Sequence, residues 1–226
     1  MTHRFGSLVT ARGDSKDVAG EEARPGLTSA SVALRSLIER SQRPEHLYGS
    51  LEAHLTGTSA LLVEWRASMP LCLAGMFHAA YGTDGWDDPL LGVAERGKLQ
   101  ILIGAAAERL VYLYCALDRA AFLPALGAIG LPAVRDRFSG KSIKLREEDV
   151  AALALLTAAN ELELLSQDPD HWRRYSTLLK PLFSSRYFQE RLSKPAREAI
   201  AAVASKPLRG FDEAYSISSI PNTEEG

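Results

Sequence analysis

Three side chains in this 226-residue chain have the type and setting to do chemistry together: His54, His78 and Glu108. Each lies inside an apolar, helix-patterned run. His54 shares one helical face with Thr58, Leu61, Leu62 and Trp65, so its imidazole points where the apolar residues point. His78 closes the run Leu71 to Ala80, which is apolar all round and therefore buried on every side, just before a Tyr81-Gly82-Thr83 turn. Glu108 sits in the centre of an apolar helix, where a carboxylate costs several kcal/mol unless it is paired or binds a cation. Imidazole and carboxylate together suit borderline divalent cations such as zinc, iron and manganese. The alternatives are core histidines satisfied by backbone carbonyls, and a Glu108 strut paired with Arg109, Arg119 or a histidine.

The elements that must position these groups read as helices. After residues 1–27, a polar arm in which four basic residues offset four acidic ones, Thr28 or Ser29 can cap a first helix to about Ser41. Pro44 interrupts, and a second helix carries His54 to about Ala67. Pro70 starts a third, short helix ending at His78. Thr83 to Pro89 is an acidic turn. A long helix is predicted from Val93 to Asp118, and Ala121 to Gly140 is punctuated by Gly and Pro. Lys144 to Ser166 predicts another strong helix with Asn160 facing inward. Residues 171–209 predict short helices separated by Pro181 and Pro195, with nine Lys or Arg against two Glu. Residues 212–226 form a polar tail. No stretch sustains the period-two alternation of a half-buried strand. The fold class is all-α, as one helical domain over residues 28–211.

Composition sets outer bounds. A net charge of −2 supplies no global drive toward nucleic acid or an anionic membrane. The most apolar window, Leu99 to Leu117, is broken by Glu108-Arg109, which argues against a membrane span. The N-terminus lacks an apolar core of the signal-peptide kind. Cys72 and Cys115, the two cysteines, lie in apolar runs with no metal or redox spacing, the pattern of reduced thiols in a cytoplasmic protein. Tyr112 and Tyr114 read as packing residues. Oligomeric state has no signature here.

The string Leu71-Cys72-Leu73-Ala74-Gly75-Met76-Phe77-His78-Ala79, whose His78 lies 24 residues after His54, resembles the HD-domain superfamily of metal-dependent phosphohydrolases and related di-iron oxygenases. Phe77 to Thr83 and Ala107 to Tyr112 are similar to a divergent group of HD-like proteins with a Phe-His-x-x-Tyr-Gly-Thr segment followed by Ala-Glu-x-Leu-Val-Tyr. The resemblance spans about residues 30–166. It implies a helical bundle with a divalent metal (Fe, Mn or Zn) on His54 and His78. The family's two aspartates fall at Ala79 and Asn160 here, so Glu108, Asp118, Asp84 or Glu161 would have to stand in. Glu108 is then a third ligand or general base, and Tyr81, Thr83, Asp118 and Asn160 contact substrate or support the ligands. The implied activity is hydrolysis of a small, in this family often phosphorylated, molecule. A binding or scaffold domain without catalysis and a di-iron oxygenase are the alternatives.

Overall fold

The structure is a computed structural model that describes residues 25–41, 45–46, 49–127, 131–168 and 170–185, with isolated residues at 194, 197, 198 and 201. The expected N-terminal arm up to residue 24 and the polar tail lie outside the described residues, as does most of the basic segment beyond 185.

The chain is an all-α bundle. Eight helices are present among the described residues: α1 (Pro25–Ser41), α2 (Leu51–Glu64), α3 (Met69–Met76), α4 (Arg96–Ile103), α5 (Ala105–Ala116), α6 (Arg119–Ala125), α7 (Glu147–Gln167) and α8 (His171–Ser184). Two short antiparallel pairs join them. β1 (Glu45–His46) pairs with β2 (Gly49–Ser50) ahead of α2, and β3 (Ala133–Arg135) pairs with β4 (Ser142–Lys144) ahead of α7. No described helix is long and apolar enough to cross a membrane.

The bundle is built around α7, which packs against α2, α3, α5 and α8. Its apolar stripe of Val150, Leu153, Ala154 and Leu156 is fully buried. Leu51, Leu55 and Leu62 of α2 and Phe77 after α3 close the same core. Residues 71–82 are buried without a gap, as an all-apolar helix requires. Ser50 caps α2, its hydroxyl accepting the Ala53 N–H at 3.4 Å.

Three sequence expectations are corrected. The first helix starts at Pro25 rather than at Thr28, because proline's fixed φ suits the first turn and its missing N–H costs nothing there. Pro181 lies inside α8 instead of ending a helix. The long helix expected from Val93 to Asp118 is a 3-10 turn (Val93–Glu95) followed by α4 and α5, which meet at Gly104. Gly104 has φ 85° and ψ 154°, a backbone state open to glycine alone, and the helix axis breaks there.

Candidate functional site

The bundle brings the two histidines together from adjacent helices. His54 sits one turn into α2, and the Thr58 hydroxyl donates back to the His54 carbonyl at 3.0 Å. His78 follows the end of α3, in a turn where its Nδ1 donates to the Gly75 carbonyl at 2.7 Å. The Cys115 thiol of α5 donates to the His78 carbonyl at 3.0 Å, and Ser59 of α2 donates to the Cys72 carbonyl at 2.8 Å. Gly75 makes the approach possible: a Cβ there would come within 2.6 Å of the Leu62 side chain and 3.3 Å of the Ser59 backbone. Across this crossing the Nε2 atoms of His54 and His78 face each other at 3.2 Å, the rings nearly perpendicular at 79°.

The outer nitrogens decide what the inner ones can do. His54 Nδ1 donates to the Glu163 carboxylate of α7, whose other oxygen takes the Gln167 amide. His78 Nδ1 faces a carbonyl, which can only accept. Assigning the protons from these partners places a hydrogen on each Nδ1 and a lone pair on each Nε2 of the neutral rings. Two lone pairs at this separation repel unless a proton or a cation lies between them. A proton makes one ring an imidazolium. A cation held tetrahedrally by nitrogens at its usual bond length would set the two nitrogens roughly 3.3 Å apart. The observed 3.2 Å is compatible with either.

The pair opens into a pocket of about 250 Å³ whose walls also include Ala79, Thr83, Asp84, Trp86, Tyr114, Arg119, Asn160, Glu161, His171 and Tyr175. On the far wall Glu161 of α7 is a buried hub. It accepts from the Arg119 guanidinium, from His171 Nε2 at 2.7 Å and from the Asn160 amide at 2.9 Å. Burial alone would push the Glu161 carboxyl up, but the adjacent Arg119 charge and the His171 hydrogen bond hold it down at about 2. The Arg119 backbone N–H donates to Asp84 at 2.9 Å, so both wall carboxylates are tied to the start of α6.

Of the residues singled out from sequence, His54, His78, Thr83, Asp84, Asn160 and Glu161 line this pocket. Glu108 does not. Its fully buried carboxylate accepts from Arg96 Nε at 2.6 Å, Arg96 Nη2 at 2.9 Å, Gln100 at 3.0 Å and the Tyr81 hydroxyl at 3.0 Å. Those four bonds commit the carboxylate to a strut between α4 and α5, with Tyr81 as part of it. The expected grouping of His54, His78 and Glu108 therefore does not form, and neither Arg109 nor Arg119 is the Glu108 partner. Arg109 instead pairs with Asp149, and Asp118 caps α6 by accepting the Ala121 N–H at 3.0 Å. Among the described residues no three His, Cys, Asp or Glu side chains are arranged to hold a metal ion by themselves.

Glu163, His171 and the Arg119–Glu161 pair went unseen in the sequence. Glu163 lies 109 residues from His54, and no local spacing reports such a contact. Tyr114, read there as packing, lines the pocket with its ring edge-on to His78, centroids 5.4 Å apart.

Residues 36–119 match the family described as Domain of unknown function (DUF6817), a span under half of the chain that contains both histidines. No curated protein and no solved structure matches the chain.

Proposed function

We propose that His54 and His78 form the core of a divalent-cation centre in an HD-like hydrolase acting on a small molecule. The observation that carries this reading is the disposition of the ring nitrogens. Each Nδ1 is held by an acceptor, a carboxylate for His54 and a backbone carbonyl for His78, which is the supporting arrangement of metal-bound imidazoles. Both Nε2 atoms then face each other at 3.2 Å, on two residues that line the pocket. The His-x23-His spacing and the Ala-Gly-apolar-apolar-His string of the HD-like pattern point the same way.

With two protein nitrogens, the remaining positions would fall to water and to the Asn160 amide, since of the two neutral residues standing where the HD-like pattern has a carboxylate only Asn160 carries an oxygen. A cation so held supplies Lewis acidity and a bound water of lowered pKa. The chain's own groups do the rest. Glu163 and the Gly75 carbonyl fix the two tautomers, the apolar wall limits water, and the Glu161 hub holds α6, α7 and α8 at the pocket rim. Both cysteines are buried thiols, which fits a cytoplasmic location.

A second reading has its own observation. Ala79 and Asn160 leave the centre without an acidic ligand, as an HD-like binding domain that has lost catalysis would. The deciding measurement is elemental analysis of protein purified without chelator, beside His54→Ala and His78→Ala. Near-stoichiometric metal that both substitutions abolish, with hydrolysis of a test ester or phosphoester panel lost in parallel, is the expected result. Metal no higher than in the two variants sinks the hydrolase reading, and bound metal without turnover selects the binding domain.

A further inference from the structure

Both members of the histidine pair are 2% exposed, although the pocket beside them holds about 250 Å³. A small molecule that is to reach their ring nitrogens needs a wall that moves. The inner walls are fixed by packing, since α3 and α7 each pack against α2, α5 and one another. The Thr83–Trp86 turn on the rim is closed by its own two backbone hydrogen bonds, of 2.7 and 3.0 Å, and Asp84 ties it to the Arg119 N–H.

That leaves α8. His171, Tyr175, Leu178 and Leu179 line the pocket from positions i, i+4, i+7 and i+8, one face of that helix. The helix packs against α6 and α7. Its first residue is held to the wall by the His171–Glu161 hydrogen bond at 2.7 Å, and Leu179, Leu182 and Phe183 are buried beneath it. The chain passes from α7 to α8 between Asp168 and His171, so a change of backbone angles over these few residues swings the whole helix. Ser176 in α8 and Ser185 at its end bury hydroxyls that have no hydrogen-bond partner among the described residues. Hydroxyls of this kind regain water when a helix lifts, which opposes its docking.

We propose that α8 is a lid over the histidine pair, latched by His171 on Glu161, and that it opens about the connection from Asp168 to His171 while α2, α3, α5 and α7 stay folded. This concerns access to the site proposed above and rests on the pocket being that site, but not on a cation being bound. Such an opening is a local equilibrium that requires less free energy than unfolding the bundle.

The test sets His54 and His78 against Cys72, which is 0% exposed in α3 and does not line the pocket. After EDTA treatment the full chain meets diethyl pyrocarbonate for the imidazoles and iodoacetamide for the thiol. Peptide mass mapping gives each rate relative to the urea-unfolded chain. The two histidines are expected to be at least about tenfold less protected than Cys72. His171→Phe, which removes the latch, and Leu179→Ala, which loosens the seat, should each speed histidine modification about tenfold further with Cys72 unchanged. Leu34→Ala, a cavity in α1 away from the pocket, should instead speed all three together. Histidines as protected as Cys72 in the wild type overturn the proposal, because the pocket would then open only by global unfolding. So do histidines whose rates both lid variants leave unchanged, or a parallel rise at Cys72 in both. Metal content from elemental analysis stands or falls separately, because these rates are read on chelated protein.

Discussion

Glu108 and Glu163 are both buried acids facing a basic or imidazole partner, and their replacement should give opposite phenotypes. Removing the Glu108 carboxylate strands Arg96, Gln100 and Tyr81 at once. Breaking a buried pair from one side costs about 3–5 kcal/mol. Arg96 is about one-third exposed (34%), so the lower end of that range is expected for Glu108→Ala, read as a shift in urea midpoint. The folded fraction should still hold whatever metal the wild type holds. Glu163→Gln keeps the shape but replaces the carboxylate that receives His54 Nδ1. Outer partners of metal-bound histidines are worth about 10–100-fold in affinity, so if His54 holds a cation as proposed, a competition titration with a chromogenic zinc chelator should show a loss of that size with little change in stability. An unchanged affinity would mean that Glu163 only packs.

At the scale of elements, two glycines set the geometry. Gly75→Ala drives a methyl into Leu62 and the α2 backbone at Ser59, an overpacking that costs about 1–3 kcal/mol. Because Gly75 also provides the carbonyl for His78, the variant should lose thermal stability and, if the proposed cation centre forms, its metal content with it. Gly104 explains why one sequence expectation carried a second with it. On an unbroken helix from Val93 to Asp118, Arg96 and Glu108 would stand about 18 Å apart along the axis and could never meet. That is why the acid looked available for the histidines. The φ of 85° at Gly104 folds α4 back toward α5 and lets Arg96 reach it. A single glycine within an apolar run does not announce that it will break the helix rather than sit in it, so the strut was illegible. The histidines were legible because both their helical faces and their 24-residue spacing are local properties of the chain. Tyr114 and His171 were not, since which aromatic or imidazole borders a cavity depends on how α5, α7 and α8 come together.

For the whole molecule, acid sensitivity should trace the buried carboxylates. Glu161 falls from an ordinary 4.5 to about 2, burial being outweighed by Arg119 and His171. The Arg109 hydrogen bonds hold Asp149 well below its ordinary range, and Glu108 is lowered because its hydrogen-bond donors outweigh its burial. A carboxyl whose folded value is depressed adds stability that is complete above its ordinary value and disappears as pH falls toward the folded one. Stability should therefore be flat in this respect above about pH 5 and decline from about 4.5 toward 2. Glu161→Gln should start less stable at pH 7, with a shallower acid limb in urea titrations. An identical limb would assign the acid response to other groups. The all-α class was readable from periodicity, whereas the joining of α6, α7 and α8 through one carboxylate was not, because its partners Arg119 and His171 lie on opposite sides of α7 in sequence.

The separations within the histidine centre also imply an order of assembly. His54 meets His78 across 24 residues, but Glu163 comes from 109 residues away. Closing the longer loop carries the greater entropic cost and waits on α7 docking. During refolding the two rings can meet while His54 is still free to exchange tautomers, and the last contact locks it. In the proposed centre, a cation bound before α7 docks would be held loosely and would exchange quickly. If that centre forms, slow exchange would begin only as α7 seats, and metal-exchange kinetics would report on the final step of folding.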